Sequence, residues 1–279
     1  MGATETSRGD AVPGLEFQTL TEASGLPAFE LPESVEAIYG GFGLPDQVVY
    51  ANFVASVDGV VAVPGLPKSS AVISGGSPAD RFLVALLRAC ADAVVIGAGT
   101  FRAHGGPWTA AKAYPDAGSD FAELRRRLGL APEPRLVVVT GSGHLDGAGP
   151  KLSGAIVATT GKAADRVREL VESDAEVMPI GAAGALNPGD VLTALSARGY
   201  RRILTEGGPQ LMGQLLQARA VQELFLTVSP LLTGGGEPAR PVLSDGSDLL
   251  SGGSPAPARL VSARAYESHL FLRYLLERG

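Results

Sequence analysis

The sequence predicts an α/β fold: a central, mostly parallel mixed sheet with helices on both faces and an antiparallel hairpin at its carboxyl end. Three observations predict it. From Val48 onward, short β-branched runs alternate with segments of helical periodicity. Those runs are nearly continuous in apolar residues, as strands covered on both faces are. The last two runs are separated only by a tight polar turn near Glu267 and Ser268, which reads as a hairpin. The 279 residues are read as one large domain rather than two small ones.

Residues 1–14, MGATETSRGDAVPG, lack an apolar stretch and read as a disordered tail rather than a signal peptide. They superficially fit the myristoylation pattern, but no polybasic or second lipid signal accompanies them. Residues 15–47 carry scattered apolar side chains, among them Leu15, Phe17, Ile38, Tyr39 and Phe42. They form an N-terminal arm that packs on the main domain or across a dimer.

The main domain, 48–279, opens with the strand VVYANFVA (48–55). A helix follows in SPADRFLVALLRACA, with Ser77 as N-cap, Pro78 at the first helical position, Asp80 at the third, and an apolar stripe from Phe82 to Cys90. Strands AVVIG (93–97), RLVVVT (135–140), AIVATT (155–160), AEVMPI (175–180), RRILTE (201–206) and ELFLTVSP (223–230) come next. Between and after them lie the helices FAELRRRL (121–128), AADRVRELVES (163–173), GDVLTALSAR (189–198) and QLMGQLLQA (210–218). Asn187 caps the helix that begins at Pro188, and Gly199 ends it. Residues 234–255 are a Gly/Ser/Pro-rich surface loop, and RLVSARAY with HLFLRYLL (259–275) makes the closing hairpin.

A net charge of −6 with no basic run argues against a nucleic-acid partner. No segment approaches the ~18 apolar residues needed to span a bilayer. The single cysteine, Cys90, rules out an intrachain disulfide and a multi-thiolate zinc site. It suits a reducing, cytoplasmic setting and reads as inert core rather than a reactive thiol. No metal site is expected.

In open parallel sheets, ligands collect beyond the carboxyl ends of strands. Three turns there suit an anionic ligand. In VIGAGT (95–100), Gly97 and Gly99 allow close backbone approach and Thr100 offers a hydroxyl; the alternative is a plain tight turn. In LTEGGPQLMGQLL (204–216), Glu206 leaves a strand, Gly207 and Gly208 follow, and Pro209 starts a helix. Its first amides, near Gln210, Leu211 and Met212, face a ligand such as a pyrophosphate, unless this is only a glycine bend. In VVVTGSG (137–143), Thr140 and Ser142 hold a further phosphate or simply line a polar loop. Asp58, before Gly59, is read as hydrogen-bonding backbone amides in preference to direct catalysis. Asn52 and Ser56 share one face of their strand and offer polar groups to a heterocycle.

NFVASVDG (52–59), LLRACADAVVIGAGT (86–100), RLVVVT and RRILTEGGPQLMGQLLQARAVQELFLTVSPLLTGG (201–235) together resemble the reductase domain of riboflavin biosynthesis. The likeness spans about residues 48 to 275. It implies a dihydrofolate-reductase-like fold and an oxidoreductase that uses NADPH to reduce the ribosyl group of an aminopyrimidine phosphate, commonly as a homodimer. It places Gly97, Gly99, Thr100, Gly207, Gly208, Pro209 and the helix start against the cofactor, with Thr140 and Ser142 near the adenosine phosphate and Thr159 and Thr160 near the adenine. Asn52, Ala55, Val61 and Ala62 lie beside the nicotinamide, Arg88 faces the substrate pocket or solvent, and Glu206 reaches substrate and cofactor together. Bifunctional relatives carry a preceding zinc deaminase, whose H-x-E and P-C-x-x-C signature is missing here.

After the GT turn, the family's ADDP segment is replaced by FRAHGGPWTAAKAY (101–114). His104 there is either a proton donor or a solvated loop residue, and Trp108 either stacks on a flat ring or covers the domain edge. Glu206 or an ordered water is the leading proton source, with His104 the outsider. Without ADDP, a dihydropteridine acceptor on the same fold and a noncatalytic NADPH-binding protein stay open as alternatives.

Overall fold

Ten strands form a single sheet in a computed structural model that describes residues 14–66, 68–145, 149–171, 174–181, 184–236, 238–246, 249 and 256–277. The tail expected over 1–14 lies almost wholly outside the described residues. The strands are β1 (Gln18–Glu22), β2 (Val48–Ser56), β3 (Ala93–Gly97), β4 (Arg135–Thr140), β5 (Ile156–Thr159), β6 (Glu176–Pro179), β7 (Arg202–Thr205), β8 (Glu223–Ser229), β9 (Ala258–Tyr266) and β10 (His269–Leu276). The helices are α1 (Glu33–Tyr39), α2 (Ser69–Ile73), α3 (Pro78–Ala89), α4 (Ala98–His104), α5 (Ala110–Ala113), α6 (Gly118–Arg127), α7 (Ala164–Leu170), α8 (Pro188–Ala197) and α9 (Pro209–Gln217). Across the sheet the order is β1-β9-β10-β8-β2-β7-β3-β4-β5-β6. From β8 to β6 every neighbouring pair is parallel; the three pairs at the other end are antiparallel.

Strand alternation builds two cores. Tyr50, Ile96, Leu204 and Phe225 face a layer containing α1, α3 and α6, where Phe82, Leu86, Leu87 and Phe121 are fully buried. Ala51, Val95, Ile203 and Leu224 face α8 and α9, through Val191, Leu195, Met212 and Leu215. The expected mostly parallel sheet with a closing hairpin is therefore present, with helices on both faces.

The arm contributes more than expected. β1 pairs antiparallel with β9, and Phe17 packs edge-on against Tyr39 and Phe271 at ring separations of 4.9 and 4.7 Å. QTLTE gave no strand signal because all five residues are exposed, leaving no apolar alternation to read. The pairing is interrupted by a register shift between Thr19 and Thr21; at the opposite edge, β6 ends on the exposed Pro179. The VIGAGT segment is not a plain tight turn: Gly97 is the N-cap of α4, and Gly99 and Thr100 lie in its first turn.

Buried polar groups tie the layers together. The Tyr50 hydroxyl donates to the Leu87 carbonyl at 2.8 Å. Arg125, 2% exposed, donates through Nη1 to the carbonyls of Arg88, Ala89 and Ala91, satisfying the end of α3. Asp92 Oδ2 accepts the backbone amides of Arg201 and Arg202 at 2.9 and 2.7 Å and aligns β7 with β3. Ser77 and Asn187 cap α3 and α8 as expected. Cys90 is fully buried, and burial pushes its thiol up to about 12, in keeping with an inert core residue.

Arg273 and Glu223 form an ion pair at 2.8 Å with side chains only 6% and 3% exposed. Arg273→Met is expected to destabilise the fold by about 3–5 kcal/mol, because the carboxylate is left buried without a counter-charge. Replacing both residues by apolar ones should restore much of that loss. Urea unfolding midpoints of the single and double variants check this.

Candidate active site

β7 and β3 are neighbours, so the chain segments leaving their carboxyl ends meet. From β7 come Glu206, Gly207 and Gly208 before α9; from β3 comes Gly97 before α4. Neither N-cap, Gly97 or Gly208, supplies a side-chain hydrogen bond to its helix. The two bends touch: a Cβ at Gly208 would fall 3.3 Å from Thr100 Oγ1, and one at Gly97 would fall 3.9 Å from Leu211 Cδ2. Around Gly99 a Cβ would meet no atom within 4 Å, so that backbone is open to a ligand. Gly207 has a packing reason instead, since its Cβ would lie 2.5 Å from Leu211 Cδ2.

Of the amides expected to be free at the start of α9, Met212 is a correction. Its N–H donates to the Gly208 carbonyl at 3.1 Å, because the helical ladder already begins at the cap residue. Gln210 and Leu211 have no backbone acceptor among the described residues.

The next two strand ends continue the row. Thr140 is buried and its Oγ1 accepts the Gly143 amide at 3.1 Å; Thr160 donates to the Gly141 carbonyl at 3.1 Å. Their hydroxyls thus knit the loops together, while Ser142 stays exposed. Thr159 is fully buried, and its hydroxyl has no partner among the described residues.

At the end of β2, Ala55, Ser56 and Val61 are buried and Asn52 and Ala62 half-buried. Ser56 Oγ donates to Asp58 Oδ1 at 2.5 Å and accepts the Val60 amide. Asp58 in turn accepts the amides of Thr233 at 3.2 Å and Gly234 at 2.6 Å. The Ser56 hydroxyl, followed by those amides, lowers the Asp58 carboxyl to about 2. Asp58 therefore fastens the 233–234 loop to the end of β2, as its reading as a binder of backbone amides anticipated.

On the α3 face, two expected site residues hold each other. Arg88 donates through Nε to Glu206 Oε1 at 2.8 Å and through Nη2 to Oε2 at 2.5 Å, both side chains being 12% exposed. Its Nη1 reaches the Thr109 carbonyl at 3.3 Å. His104 Nδ1 lies 3.1 Å from the Thr100 carbonyl and Nε2 lies 3.5 Å from Ser70 Oγ. Trp108 is buried and stacks on Phe101 at 6.1 Å, on the inner side of the loop that replaces ADDP.

The structure adds a group that sequence reasoning missed. Asp80, beyond its place in the first turn of α3, is buried on the same face as Thr227, Ser229 and His269. Thr227 pairs in register with Val54 of β2 and Phe271 of β10, and Ser229 with Ser56. Among the described residues Thr227 Oγ1, Ser229 Oγ and His269 Nδ1 are buried without hydrogen-bond partners, so the Thr227 hydroxyl faces Asp80 without completing a bond; His269 Nε2 reaches the Ser74 carbonyl at 2.9 Å. Burial pushes the Asp80 carboxyl up to about 6, against the pull of Thr227 and His269 and with a push from Glu206. The available signal was Thr227 and Ser229 themselves, polar residues in the fully covered stretch of a strand.

This acid predicts a pH dependence. Because the folded state holds its proton more tightly than the unfolded chain, stability is full below about pH 4, falls as pH rises toward about 6, and is flat above. The fall attributable to Asp80 is roughly 3 kcal/mol. In Asp80→Asn it should be missing; denaturant unfolding between those limits, for both proteins, checks it.

Residues 47–271 match the sequence profile of the RibD C-terminal domain. A 2,5-diamino-6-ribosylamino-4(3H)-pyrimidinone 5′-phosphate reductase of Archaeoglobus fulgidus is 29% identical over 206 residues, covering 72% of this chain and 88% of that protein. Among solved structures, a pyrimidine reductase-like protein from Corynebacterium diphtheriae superposes with a TM-score of 0.66 at 23% identity, over 88% of this chain and 99% of that one. The riboflavin biosynthesis reductase Rib7 of Saccharomyces cerevisiae gives 0.51 at 15% identity, over 85% and 92%. These two share the fold. The profile runs from the residue before β2 into β10, through every strand end described above, and on that match the chain belongs to the RibD C-terminal domain family of pyrimidine reductases.

Proposed function

We propose that this chain is an NADPH-dependent oxidoreductase that reduces the ribosyl group of an aminopyrimidine phosphate, a substrate like 5-amino-6-ribosylaminouracil phosphate in riboflavin formation. The observation that carries this reading is the contact between the two glycine bends, where Gly208 approaches Thr100 within the reach of a single Cβ. Open backbone at Gly99, the amides of Gln210 and Leu211, and the exposed Ser142 hydroxyl extend it along β7, β3 and β4, and Thr160 follows the adjoining β5, so the row crosses four adjacent strands. With β2 included, the row spans about 19 Å at about 4.8 Å per strand, which suits a molecule of two linked nucleotides.

When bound, the coenzyme supplies a hydride. The chain's own residues position the acceptor and handle the proton. For a ribosylamine, a hydrogen is added at C1′, the bond from C1′ to the ring oxygen breaks, and that oxygen takes a proton. Asn52, Ala55, Val61 and Ala62 flank the nicotinamide end of the row. Ser56 stands near them with its hydroxyl committed to Asp58. The fork of Arg88 holds the Glu206 carboxylate rigidly at the meeting point of coenzyme and substrate. Asp80 is a buried acid on the α3 side of the sheet and supports the role of proton source, ahead of Glu206, whose two oxygens both accept from Arg88. His104 and Trp108 stand where ADDP would shape the substrate end.

One observation favours a second reading. A buried carboxyl, Asp80, is also suited to the N–H groups of an aminopyrimidinone edge, so a dihydropteridine acceptor is served by the same face. A protein that binds the coenzyme and reduces neither acceptor remains the third reading. We place the protein in the cytoplasm and infer a homodimer. The exposed Leu20, Leu260 and Leu270 on the antiparallel end of the sheet support a self-associating surface.

NADPH absorbance is expected to fall with the ribosylaminopyrimidine phosphate and not with dihydrofolate. Consumption with neither, despite calorimetric binding of NADPH, would favour the third reading, and no heat with either coenzyme form would remove all three. Glu206→Gln, which loosens the fork of Arg88, is expected to lower turnover by about a hundredfold through lost positioning, with little change in NADPH affinity.

A further inference from the structure

The rim of the sheet opposite the glycine bends carries a cleft of about 880 Å³, within the size range of small-molecule sites. Asp92, Arg135 and Tyr200 on its wall stand at or just before the starts of β3, β4 and β7. Five residue steps separate Asp92 from Gly97, about 17 Å along a strand, so the cleft is no part of the row of carboxyl ends. The loop after α4 closes one side with Trp108 and Thr109, and the segment before β5 brings Lys151 across to it. The Lys151 Nζ lies 3.1 Å from where a Cβ on Gly105 would stand.

The wall combines an apolar part with a cationic one. Trp108, Pro134, Leu136 and Tyr200 supply the first; Arg125, Arg135, Lys151 and Arg198 supply the second, against the acids Asp92 and Glu133. Arg198 pairs with Glu176, but neither Arg125, Arg135 nor Lys151 forms an ion pair among the described residues. Arg125, 2% exposed, meets only neutral carbonyls, at Ala131 through Nε and at the end of α3 through Nη1. Its Nη2 is buried with no partner among the described residues, and so is Arg135 Nε. Asp92 spends Oδ2 on the amides of Arg201 and Arg202, and Glu133 is exposed. Guanidinium groups left this way are costly, and an anion entering the cleft offsets that cost.

We propose that this cleft is a second ligand site, separate from the coenzyme row, and that it takes a phosphate monoester carrying a planar ring. Arg135 supplies a planar fork matched to phosphate oxygens, Lys151 adds a mobile point charge at the mouth, and Arg125 stands behind them as a fixed one. The ring lies against Trp108 and Tyr200, where flat apolar surface is offered. Such an occupant borders the support of the Arg88–Glu206 fork, because the Thr109 carbonyl accepts from Arg88 and Arg125 donates to the Arg88 carbonyl.

Trp108 is the only tryptophan of the chain, so its emission reports on this wall alone. Phenyl phosphate, titrated against the whole protein by tryptophan emission and by calorimetry, should bind with a dissociation constant of about 1 mM or below. Phenol and inorganic phosphate, each carrying half of the recognised chemistry, should bind at least about tenfold more weakly. Arg135→Gln and Lys151→Gln should each weaken phenyl phosphate by about tenfold, with folding checked by circular dichroism. Lys151 is exposed, so its variant carries the test even where Arg135→Gln unfolds. Glu206→Gln should bind the probe as the wild type does. Neither heat nor an emission change, equal binding of phenol or phosphate, undiminished binding in Lys151→Gln, or a loss in Glu206→Gln instead overturns the inference. The reductase reading stands apart from all of these outcomes, since the cleft shares none of the coenzyme row's residues.

Discussion

The fork of Arg88 on Glu206 positions the carboxyl edge of the sheet. It joins the last turn of α3 to the first residue beyond β7, and through the Thr109 carbonyl it also holds the segment between α4 and α5. Arg88 is itself anchored from behind, because Arg125 takes its carbonyl along with two others at the end of α3. A bidentate pair of this kind fixes direction as well as distance. With only 12% of each side chain exposed, neither charge has water to fall back on, so the geometry is stiff as well as specific.

Around that pair the sheet divides its labour by face. The side toward α8 and α9 is largely apolar, with Thr205 a buried polar residue of β7 among its aliphatic side chains, and its residues do the packing. The side toward α3 changes character along the strands, from Tyr50 and Phe225 in the core to Ser56, Thr227 and Ser229 near the carboxyl ends. Partnerless buried hydroxyls are costly in a finished core, by about 1–3 kcal/mol each. They are concentrated beside Asp80 and His269, on the face toward α3 to which the proposed function assigns the substrate.

Much of this architecture was legible because it is local. Runs such as AVVIG and RLVVVT announce strands by composition alone, and the Ser77–Pro78 and Asn187–Pro188 pairs announce helix starts by capping chemistry. Relations between distant residues were not legible. Arg88 and Glu206 are 118 positions apart, and nothing in either segment says that they reach for one another. Arg102 and Arg166 both reach His144, on a loop that no spacing rule connects to either. The glycines of VIGAGT were read for their freedom and hence as a turn, whereas Gly99 sits within a helix because α4 packs Phe101 into the core and tertiary contact overrides propensity.

The two ends of the sheet carry a further consequence. A ten-stranded sheet has two raw borders at which a foreign strand might be zipped on. One border here is a short polar strand with a break in its register between Thr19 and Thr21; the other finishes on Pro179, which has no amide hydrogen to offer. Both borders are thereby made poor templates for backbone annealing. The molecule can hold a large open sheet at cellular concentrations without growing into ribbons, and any association between copies is left to side chains on a face of the sheet instead of to its rim.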